Sequence, residues 1–383
     1  MISYVLPTRD RQAVLDRTLA ALAALPPHAG ELIVVDNASA VPARAPARLV
    51  NGIPARVVRL GTNQGAAGRN HGVAAADRAS EWIVMLDDDS HPLGTGHLAA
   101  VGEADQSVGA VAAEIWLAGE GDVAGHATRR GHEAGGLPEV FIGCGVAVRR
   151  AAWDDVAGPW GGYDPQFGYY AEEYDLAARL LLGGWRVRLD RRFAVAHHKV
   201  AVGRDMGLIL ARLVRNNGWV MGRYAPAECR RREVGRVITR YARIARREGA
   251  MRGYGAGLAE LVRTLGGQCR RPMPRALFDR FTGLAAARES LQGEYRRGIY
   301  RSAAIVGAGK NAHVIREALR ELGVRLTSPD RAEVRVLGTM SPGPLLDAWA
   351  ELAVAGEGAG RLLSPWSDLT GAARAGAAVR AAA

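Results

Sequence analysis

The sequence predicts an α/β protein whose mostly parallel sheet is covered by helices on both faces. Short apolar runs alternate with segments of helical periodicity in the N-terminal part, and two of these runs end in carboxylates. The chain has 383 residues, well above the ~150 of a typical domain. We therefore predict three parts: an α/β domain at 1–203, a basic helical segment at 204–295 and a small Rossmann-like α/β accessory module at 296–383.

Strands and helices alternate in the first part. In chain order we predict strand 2–6, helix 11–25, strand 31–36, strand 55–60, helix 66–79 and strand 82–86. Asp36 ends one strand and Asp87 follows another, so both carboxylates are expected at the carboxyl edge of the sheet. Open α/β sheets bind their ligands at that edge.

The second and third parts differ in pattern. Helices are predicted at 208–224 and 229–248, followed by a linker-like zone at 266–274. The third part is predicted to contain, in order, strand 303–306, helix 312–322 and strands 334–337 and 361–363. The loop Gly307-Ala308-Gly309 lacks the third glycine of a dinucleotide-binding fingerprint. We expect a structural or partner-docking role for this module.

Composition and charge exclude several classes of protein. With 48% hydrophobic and 23% charged residues, the chain is neither disordered nor collagen-like. The net charge is +11, but 48 of the 50 basic residues are arginine, which indicates a compositional bias. Because no nucleic-acid-binding motif accompanies this charge, we predict no nucleic-acid partner. Cys144, Cys229 and Cys269 lack the spacing of a disulfide framework or a zinc site and are expected to be packing residues.

The location is predicted from the absence of hydrophobic segments. No apolar run reaches the ~18 residues of a membrane helix, and the first residues lack the pattern of a signal peptide. A cytoplasmic protein is therefore expected. The arginine-rich segment 229–248 is interpreted as a solvated face, with peripheral contact at the inner face of the membrane as the alternative.

Two groups of residues could bind a metal ion. Asp87 and Asp89 are two positions apart, so in extended backbone their carboxylates project to the same side and could hold Mg²⁺ or Mn²⁺ with a nucleotide diphosphate. A turn or a helix cap is the alternative. His197 and His198 end a strand that begins near Phe193, and adjacent residues in a strand point to opposite faces. At most one of these histidines therefore faces a given site.

A third group lies before a helix predicted at 177–182. Glu172, Glu173 and Asp175 either complement the positive end of that helix or supply a general base for a hydroxyl nucleophile. Several aromatic residues precede them, and aromatic rings commonly form the floor of a sugar site. Trp160 and Tyr170 are the candidates for contact with an acceptor.

These motifs occur in the order and spacing of a known family. They are Pro7-Thr8-Arg9-Asp10, Val34-Val35-Asp36-Asn37, Asn63-Gln64-Gly65, Arg69-Asn70, Leu86-Asp87-Asp88-Asp89 and the run 162–176. Over residues 1–203 the chain resembles family-2 glycosyltransferases, and 215–226 is similar to the tail of that family. The resemblance implies a GT-A fold and an inverting enzyme with three partners: a nucleotide-diphosphate sugar donor, a hydroxyl-bearing acceptor and a divalent cation, Mg²⁺ or Mn²⁺.

The resemblance also implies roles for single residues. Glu173 takes the position of the family's aspartate base, with Glu172 as the alternative. Asp87, Asp89 and His197 would hold the cation, with His198 in reserve. Donor contacts would come from Pro7, Thr8, Asp10, Asp36, Asn63, Gly65, Arg69, Asn70, Asp88 and Gly145.

Two other functions are compatible with parts of this pattern. A nucleotidyltransferase on a related sheet would carry a glycine-rich basic loop after its first strand, where this chain has Pro7-Thr8-Arg9-Asp10. A scaffold protein would bind a sugar nucleotide without consuming it, and glutamate at 173 in place of the family's aspartate is the one feature that favours it.

Overall fold

The computed structural model describes residues 1–119, 131–199, 205–354 and 361–371. Within these ranges, the N-terminal part forms one sheet of eight strands. They are β1 (Ile2–Thr8), β2 (Gly30–Asp36), β3 (Ala55–Arg59), β4 (Trp82–Met85), β5 (Ser90–Pro92), β6 (Val108–Leu117), β7 (Val146–Arg149) and β8 (Arg186–His197). The strand order across the sheet is β3-β2-β1-β4-β7-β6-β8-β5.

The sheet is mixed. Strands β1 to β4 pair in parallel, and β6 pairs in parallel with β8. Strand β7 runs antiparallel to both β4 and β6, and β5 runs antiparallel to β8. The predicted α/β class with a mostly parallel sheet is confirmed. The antiparallel strands lie beyond residue 86, where the sequence pattern predicted no strand before the one near Phe193.

Twelve α-helices accompany the sheet in the described residues. They are α1 (Gln12–Ala23), α2 (Gly68–Ala75), α3 (Gly96–Gly102), α4 (Arg150–Val156), α5 (Glu172–Leu182), α6 (Met206–Tyr224), α7 (Arg230–Arg247), α8 (Met251–Thr264), α9 (Arg275–Thr282), α10 (Leu284–Arg297), α11 (Ala312–Glu321) and α12 (Pro342–Val354). Among these described helices, none is both long and apolar enough to cross a bilayer.

Two helix boundaries differ from the prediction by four residues or more. Helix α2 ends at Ala75 rather than at residue 79, because the guanidinium of Arg150 donates hydrogen bonds to the carbonyls of Asp77 and Ser80 and holds that segment as a turn. Helix α5 begins at Glu172, five residues before the predicted start at 177. The carboxylates expected ahead of this helix therefore lie within its first turn.

Alternation along β1 divides the core between the two faces of the sheet. Tyr4 and Leu6 pack into one buried cluster and Val5 into the other. The cluster that contains Val5 extends through α5 to Phe281 and Ile315 in the C-terminal half of the chain. One continuous apolar core thus joins the large sheet to the C-terminal module.

The C-terminal module is a parallel sheet of four strands in the described residues. Its order is β10 (Arg325–Leu326), β9 (Ser302–Val306), β11 (Val334–Leu337) and β12 (Arg361–Leu363), so the three predicted strands are present. Helix α10 runs across the predicted boundary at 295–296, and the boundary at 203–204 lies outside the described residues. The Gly309 amide donates to the carbonyl of Gly338 at 2.8 Å, and this bond packs the glycine loop against the end of β11.

The cysteines are partly as expected. Cys144 and Cys229 are buried, in keeping with packing positions, whereas Cys269 is exposed and the prediction for it was wrong. Cys269 lies in an irregular stretch that follows α8.

A buried ion-pair network holds helix α5 in place. Asp175 accepts from Arg179 Nε at 3.0 Å and from Arg223 Nη1 at 2.8 Å, and the hydroxyl of Tyr224 donates to it at 2.7 Å. Arg223 also donates to Asp164 at 2.8 Å. Asp175, one of three acidic residues in the predicted group, therefore anchors the helix instead of facing a cavity.

Replacing Asp175 with alanine is expected to destabilise the protein by about 3–5 kcal/mol, because two buried guanidinium groups lose their shared carboxylate. Urea denaturation followed by circular dichroism measures this difference in the free energy of unfolding. Glu103→Ala is the control, since it removes an exposed ion pair with Arg192 and should change that free energy by less than about 1 kcal/mol. Equal effects of the two substitutions would contradict the anchoring role.

Candidate active site

A cavity of about 480 Å³ opens at the carboxyl ends of the neighbouring strands β1 and β4. Its walls contain ten of the residues singled out from the sequence: Pro7, Thr8, Arg69, Asp87, Asp88, Asp89, Tyr170, Glu172, Glu173 and His197. These residues come from five separate segments of the chain. The structure thus brings the acidic triplet, the carboxylate pair and the histidine together at the predicted edge of the sheet.

Two carboxylates of the triplet are held by one arginine. Arg11, at the start of α1, contacts Asp88 at 2.9 Å and Asp89 at 2.8 Å. The hydroxyl of Thr8 donates to Asp88 at 2.7 Å. Burial raises the pKa of Asp88 to about 7, and Arg11 and Thr8 offset this only in part. Burial also acts on Asp89, but hydrogen bonds from His197 and Arg11 lower its pKa to about 2.

The third carboxylate, Asp87, is paired with Arg69 on α2. The Arg69 side chain is buried, whereas about a third of the Asp87 side chain is exposed toward the cavity. Arg69 Nε and Glu172 Oε2 are buried and have no hydrogen-bond partner among the described residues. Two orphaned polar atoms on residues that line one cavity indicate a site that a bound ligand completes.

His197 is oriented by a carboxylate. Its Nδ1 lies 2.9 Å from Glu133 Oε2, and its Nε2 lies 3.4 Å from Asp89 Oδ1. Lys199 Nζ holds the other oxygen of Glu133 at 2.7 Å. Burial lowers the pKa of His197, but Cys144, Asp89 and Glu133 outweigh it, so the pKa of the imidazole is raised. Surroundings that favour a proton on this ring also favour a metal cation beside it.

The donor set fits a divalent cation. Ligand atoms of Asp87, Cys144 and His197 all lie within 4.8 Å of one another. Glu133 lies at Nδ1 of His197 and Asp89 at Nε2, and a carboxylate behind the histidine is common around metal-bound histidine. Carboxylate oxygens suit Mn²⁺ or Mg²⁺ and imidazole suits transition metals, whereas the thiol of Cys144 is a softer ligand that sequence reasoning took for packing.

The neighbouring histidine faces the other way, as the strand geometry predicts. The ring of His198 stacks on that of His91, with centroids 5.2 Å apart and Nε2 atoms 3.1 Å apart. Only His197 of the two belongs to the group of potential ligands found in the described residues.

The carboxylate pair occupies the first turn of α5 behind a constrained loop. Tyr170 and Ala171 both have positive φ angles, 74° and 67°, which are unfavourable for residues with a side chain. The buried amide of Asn216 on α6 donates to the carbonyls of Phe167, Tyr169 and Tyr170 at 2.6–3.0 Å. Asn216, from the segment that resembled the family's tail, therefore holds the loop that presents the pair.

The two carboxyl groups differ in their surroundings. Burial raises the pKa of Glu172, and the adjacent charge of Glu173 raises it further. Burial also raises the pKa of Glu173, but Lys310, Arg69 and a hydrogen bond from Glu172 each stabilise its charged form. When the pair carries one proton, that proton is therefore expected on Glu172.

The Asn-Gln-Gly motif links α2 to the loop before α5. Asn63 Oδ1 accepts from the Gly65 amide at 2.9 Å. A Cβ on Gly65 would lie 2.4 Å from the carbonyl oxygen of Gly168, so only glycine allows this contact. Asn70 donates to the carbonyls of Trp160 and Tyr163 at 2.9 and 2.8 Å. Asn70 and Trp160 line a separate cavity of about 350 Å³.

Three further candidates for donor contact lie outside the 480 Å³ cavity. Asp36 accepts from the amides of Ser39 and Ala43 at 2.8 and 3.0 Å. Burial alone would raise the pKa of Asp36, but these hydrogen bonds lower it. Asp10 accepts from the amide of Ala40 at 2.7 Å, and both carboxylates therefore shape the loop after β2. A Cβ on Gly145 would lie 3.0 Å from Ala113 and Ile115, so this glycine is needed for packing of the sheet.

Four residues of the site were missed by sequence reasoning. Arg11 follows the Pro-Thr-Arg-Asp turn directly and carries the charge that the acidic triplet requires, so it could have been found. Glu133 lies in an irregular segment without a motif. The chain has two lysines beside 48 arginines. Lys199 pairs with Glu133, and the charge of Lys310 acts on Glu173, so the rarity of lysine in the sequence could have indicated both residues.

The sheet places an acidic triplet at the carboxyl end of β4, one of its central strands. Residues 3–132, about a third of the chain, match the model of glycosyl transferase family 2. This match confirms the resemblance and the glycosyltransferase class predicted from the sequence for the N-terminal part of the chain, and the predicted fold is confirmed as well. No curated protein matches the chain.

Solved structures show distant similarity. The chain is similar to GalNAc-T7 with UDP, GalNAc and Mn²⁺, with 16% identity, a TM-score of 0.48 and coverage of 59% of this chain and 48% of that one. It therefore spans about half the length of GalNAc-T7. It is also similar to S. aureus TarS 1–349 with UDP-GlcNAc, with 15% identity, a TM-score of 0.48 and coverage of 84% of this chain and 92% of that one. A mannosyltransferase from Pyrobaculum calidifontis with GDP-Man and Mn²⁺ shows 15% identity, a TM-score of 0.44 and coverage of 84% of this chain and 86% of that one.

Proposed function

We propose that the chain transfers a sugar from a nucleotide-diphosphate donor to an acceptor hydroxyl with inversion at the anomeric carbon. The observation that carries this proposal is the meeting of two acidic groups in one cavity of about 480 Å³. Asp87, Asp89 and His197 line this cavity together with the carboxylate pair Glu172 and Glu173. A transferase needs both a place for the diphosphate and a base for the acceptor.

Glu173 is proposed as the general base. Its carboxylate takes the proton of the acceptor hydroxyl as that oxygen forms a bond to the anomeric carbon. The bond from this carbon to the diphosphate oxygen breaks, and its electron pair leaves with the diphosphate. Because attack and departure occur on opposite faces in a single displacement, the configuration inverts.

The other side of the cavity is proposed to hold the donor. Arg11 and Arg69 provide positive charge there for the phosphates, and Thr8 and Asp88 fix the wall. Asp87, Asp89 and His197 would hold the divalent cation, which neutralises charge on the leaving diphosphate when bound. Asp10, Asp36, Asn63, Gly65, Asn70 and Gly145 remain proposed donor-site residues that act through the loops they shape.

The acceptor is proposed to enter beside Tyr170, which lines the cavity and is 37% exposed. Trp160, on the separate cavity, would contact only an extended acceptor. We place the enzyme in the cytoplasm. Contact with the inner face of a membrane would use the exposed arginines of α7, among them Arg231, Arg243 and Arg246.

Thermal shift with nucleotides tests the donor site. Purified protein is heated with UDP, GDP, dTDP and CDP sugars, including UDP-GlcNAc and GDP-Man, in Mn²⁺, Mg²⁺ or EDTA. We expect one nucleotide series to raise the melting temperature in the presence of metal only, since a ligand at 100 times its Kd stabilises by about 2.7 kcal/mol. Absence of stabilisation under every condition would refute the donor site.

Product analysis separates the alternatives. Release of a nucleoside diphosphate upon addition of acceptors, or slowly upon hydrolysis, is expected of a transferase. Release of pyrophosphate from a nucleoside triphosphate supplied with a sugar phosphate would identify a nucleotidyltransferase. Donor binding without consumption would identify a scaffold.

A further inference from the structure

The glycine loop of the C-terminal module reaches the base helix. Lys310 Nζ donates a hydrogen bond to the hydroxyl of Tyr174 and lies 4.2 Å from the centroid of its ring. Tyr174 is buried and directly follows Glu173 on α5. The Lys310 carbonyl accepts from the Met340 amide at 2.9 Å, and Asn311 donates to the carbonyl of Thr282 at 2.8 Å. Both bonds fix the position of the lysine.

Lys310 has an unusual environment for a lysine. Glu173 is the opposite charge in the same buried space. Burial lowers the pKa of Lys310 to about 7, the charge of Arg240 on α7 acts in the same direction, and Glu173 opposes both. Burial of a charged amine is unfavourable, and the carboxylate of Glu173 is the charge that offsets it. Such an environment indicates a function rather than surface packing.

We propose that Lys310 is a positioning residue for the transfer reaction, supplied by the C-terminal module to hold the first turn of α5 through Tyr174 and to keep the neighbouring carboxylate of Glu173 charged. This inference rests on the proposed function of Glu173. It assigns to the module a part in the active site of the N-terminal domain, beyond the structural role expected from the sequence.

A second contact shows that the module also holds the opposite wall of the cavity. Asp347 on α12 binds the ring of His132 at Nδ1 and accepts from its backbone amide at 2.9 Å. The next residue, Glu133, is the carboxylate that orients His197. Ser341 Oγ accepts from the amide of Gly135 at 3.0 Å. The module thus contacts the helix that carries the proposed base and the segment whose Glu133 orients His197.

The groups that face Glu173 determine the sign of the expected pH effect. They are Glu172 and Arg69, the phenols of Tyr163, Tyr174 and Tyr241, and Lys310 with Arg240 behind it. The pKa values of the three phenols are raised by burial, so these groups are neutral near pH 7. Loss of the Lys310 charge would raise the pKa of Glu173, and activity that needs its ionised form would then require a higher pH.

The test compares kcat against pH for the full chain and for Lys310→Met. We expect the acidic limb of the profile to move up by about one pH unit, with kcat near pH 7 reduced severalfold and the KM for the donor unchanged. Arg320→Met is the matched control, because it removes one exposed positive charge from α11 of the same module and should leave the limb in place. Lys310→Arg retains the charge and should also retain the wild-type limb.

Several outcomes would overturn the proposal. A folded Lys310→Met with an unmoved limb would do so, as would equal shifts in Lys310→Met and Lys310→Arg, because packing would then explain both. If Lys310→Met does not fold, Lys310→Gln replaces it, and failure of all three variants to fold would assign the residue to stability alone. Glu173→Gln distinguishes failure of the proposed base from failure of the proposed role of Lys310. If Glu173→Gln is active, the proposed base is wrong. If Glu173→Gln is inactive and the acidic limb of Lys310→Met is unmoved, only the role of the lysine is refuted.

Discussion

Glu173→Gln is expected to reduce sugar transfer by about 10²- to 10⁴-fold while the donor nucleotide binds with unchanged affinity. The amide is nearly the same size as the carboxylate and cannot take the proton of the acceptor hydroxyl. Arg11 is paired with Asp88 and Asp89, and this substitution leaves those residues unchanged, so the phosphates would keep their contact with it. Release of nucleoside diphosphate measures turnover, and calorimetric titration with metal measures donor affinity.

Glu172→Gln is the matched control for this experiment. Its amide can still donate a hydrogen bond to Glu173, so we expect turnover within about tenfold of wild type. The reverse result, an inactive Glu172→Gln beside an active Glu173→Gln, would transfer the role of base to Glu172. Near-normal turnover in both variants would exclude a base at this helix and with it the proposed mechanism.

The parts of the site that could be predicted are those set by local sequence. The end of strand β4 places Asp87 to Asp89 at the edge of the sheet, because an apolar run fixes where the strand stops. The opposite directions of His197 and His198 follow from the period of a strand, and the structure confirms this arrangement. The order of the motifs along the chain also predicts the family.

The missing parts depend on contacts between distant segments. Glu133 orients His197 across 64 positions of sequence, and Lys310 reaches Tyr174 across 136. No periodicity or short motif encodes such pairs, because they result from how β6, α5 and the C-terminal module pack on one core. The assignment of Asp175 to a possible base failed for the same reason, since Arg223 lies 48 positions away.

Because contacts between distant segments build the site, a module without a recognisable motif can also contribute to it. The loop 307–311 would serve as a phosphate loop in a dinucleotide-binding protein, yet here Gly309 is bonded to Gly338 and the loop is directed at α5. The apolar core that joins the two sheets continues through α5 to the module. Changes at Lys310 are therefore expected to alter catalysis through Glu173 before they alter donor recognition.

Asp89→Ala is expected to abolish metal-dependent donor binding. Asp89 is 7% exposed, faces His197 Nε2 at 3.4 Å and is held by Arg11, so its loss removes one proposed ligand and releases two partners of the site. The affinity for Mn²⁺ should fall by more than the roughly 10- to 100-fold typical of an outer partner of a metal ligand. Titration of Mn²⁺ by electron paramagnetic resonance measures this directly, and thermal shift with nucleotide and Mn²⁺ provides the second readout.

Two matched variants make the result specific to the site. Asp330→Ala removes an exposed carboxylate that pairs only with Arg331 and should leave Mn²⁺ affinity unchanged. Cys144→Ala tests whether the thiol in the group with Asp87 and His197 is a ligand. We expect Mn²⁺ and Mg²⁺ binding to survive this change, since both ions prefer oxygen and nitrogen donors. Undiminished binding of nucleotide with Mn²⁺ to Asp89→Ala would remove Asp89 from the metal site, and loss of binding in Cys144→Ala would indicate a softer metal such as zinc.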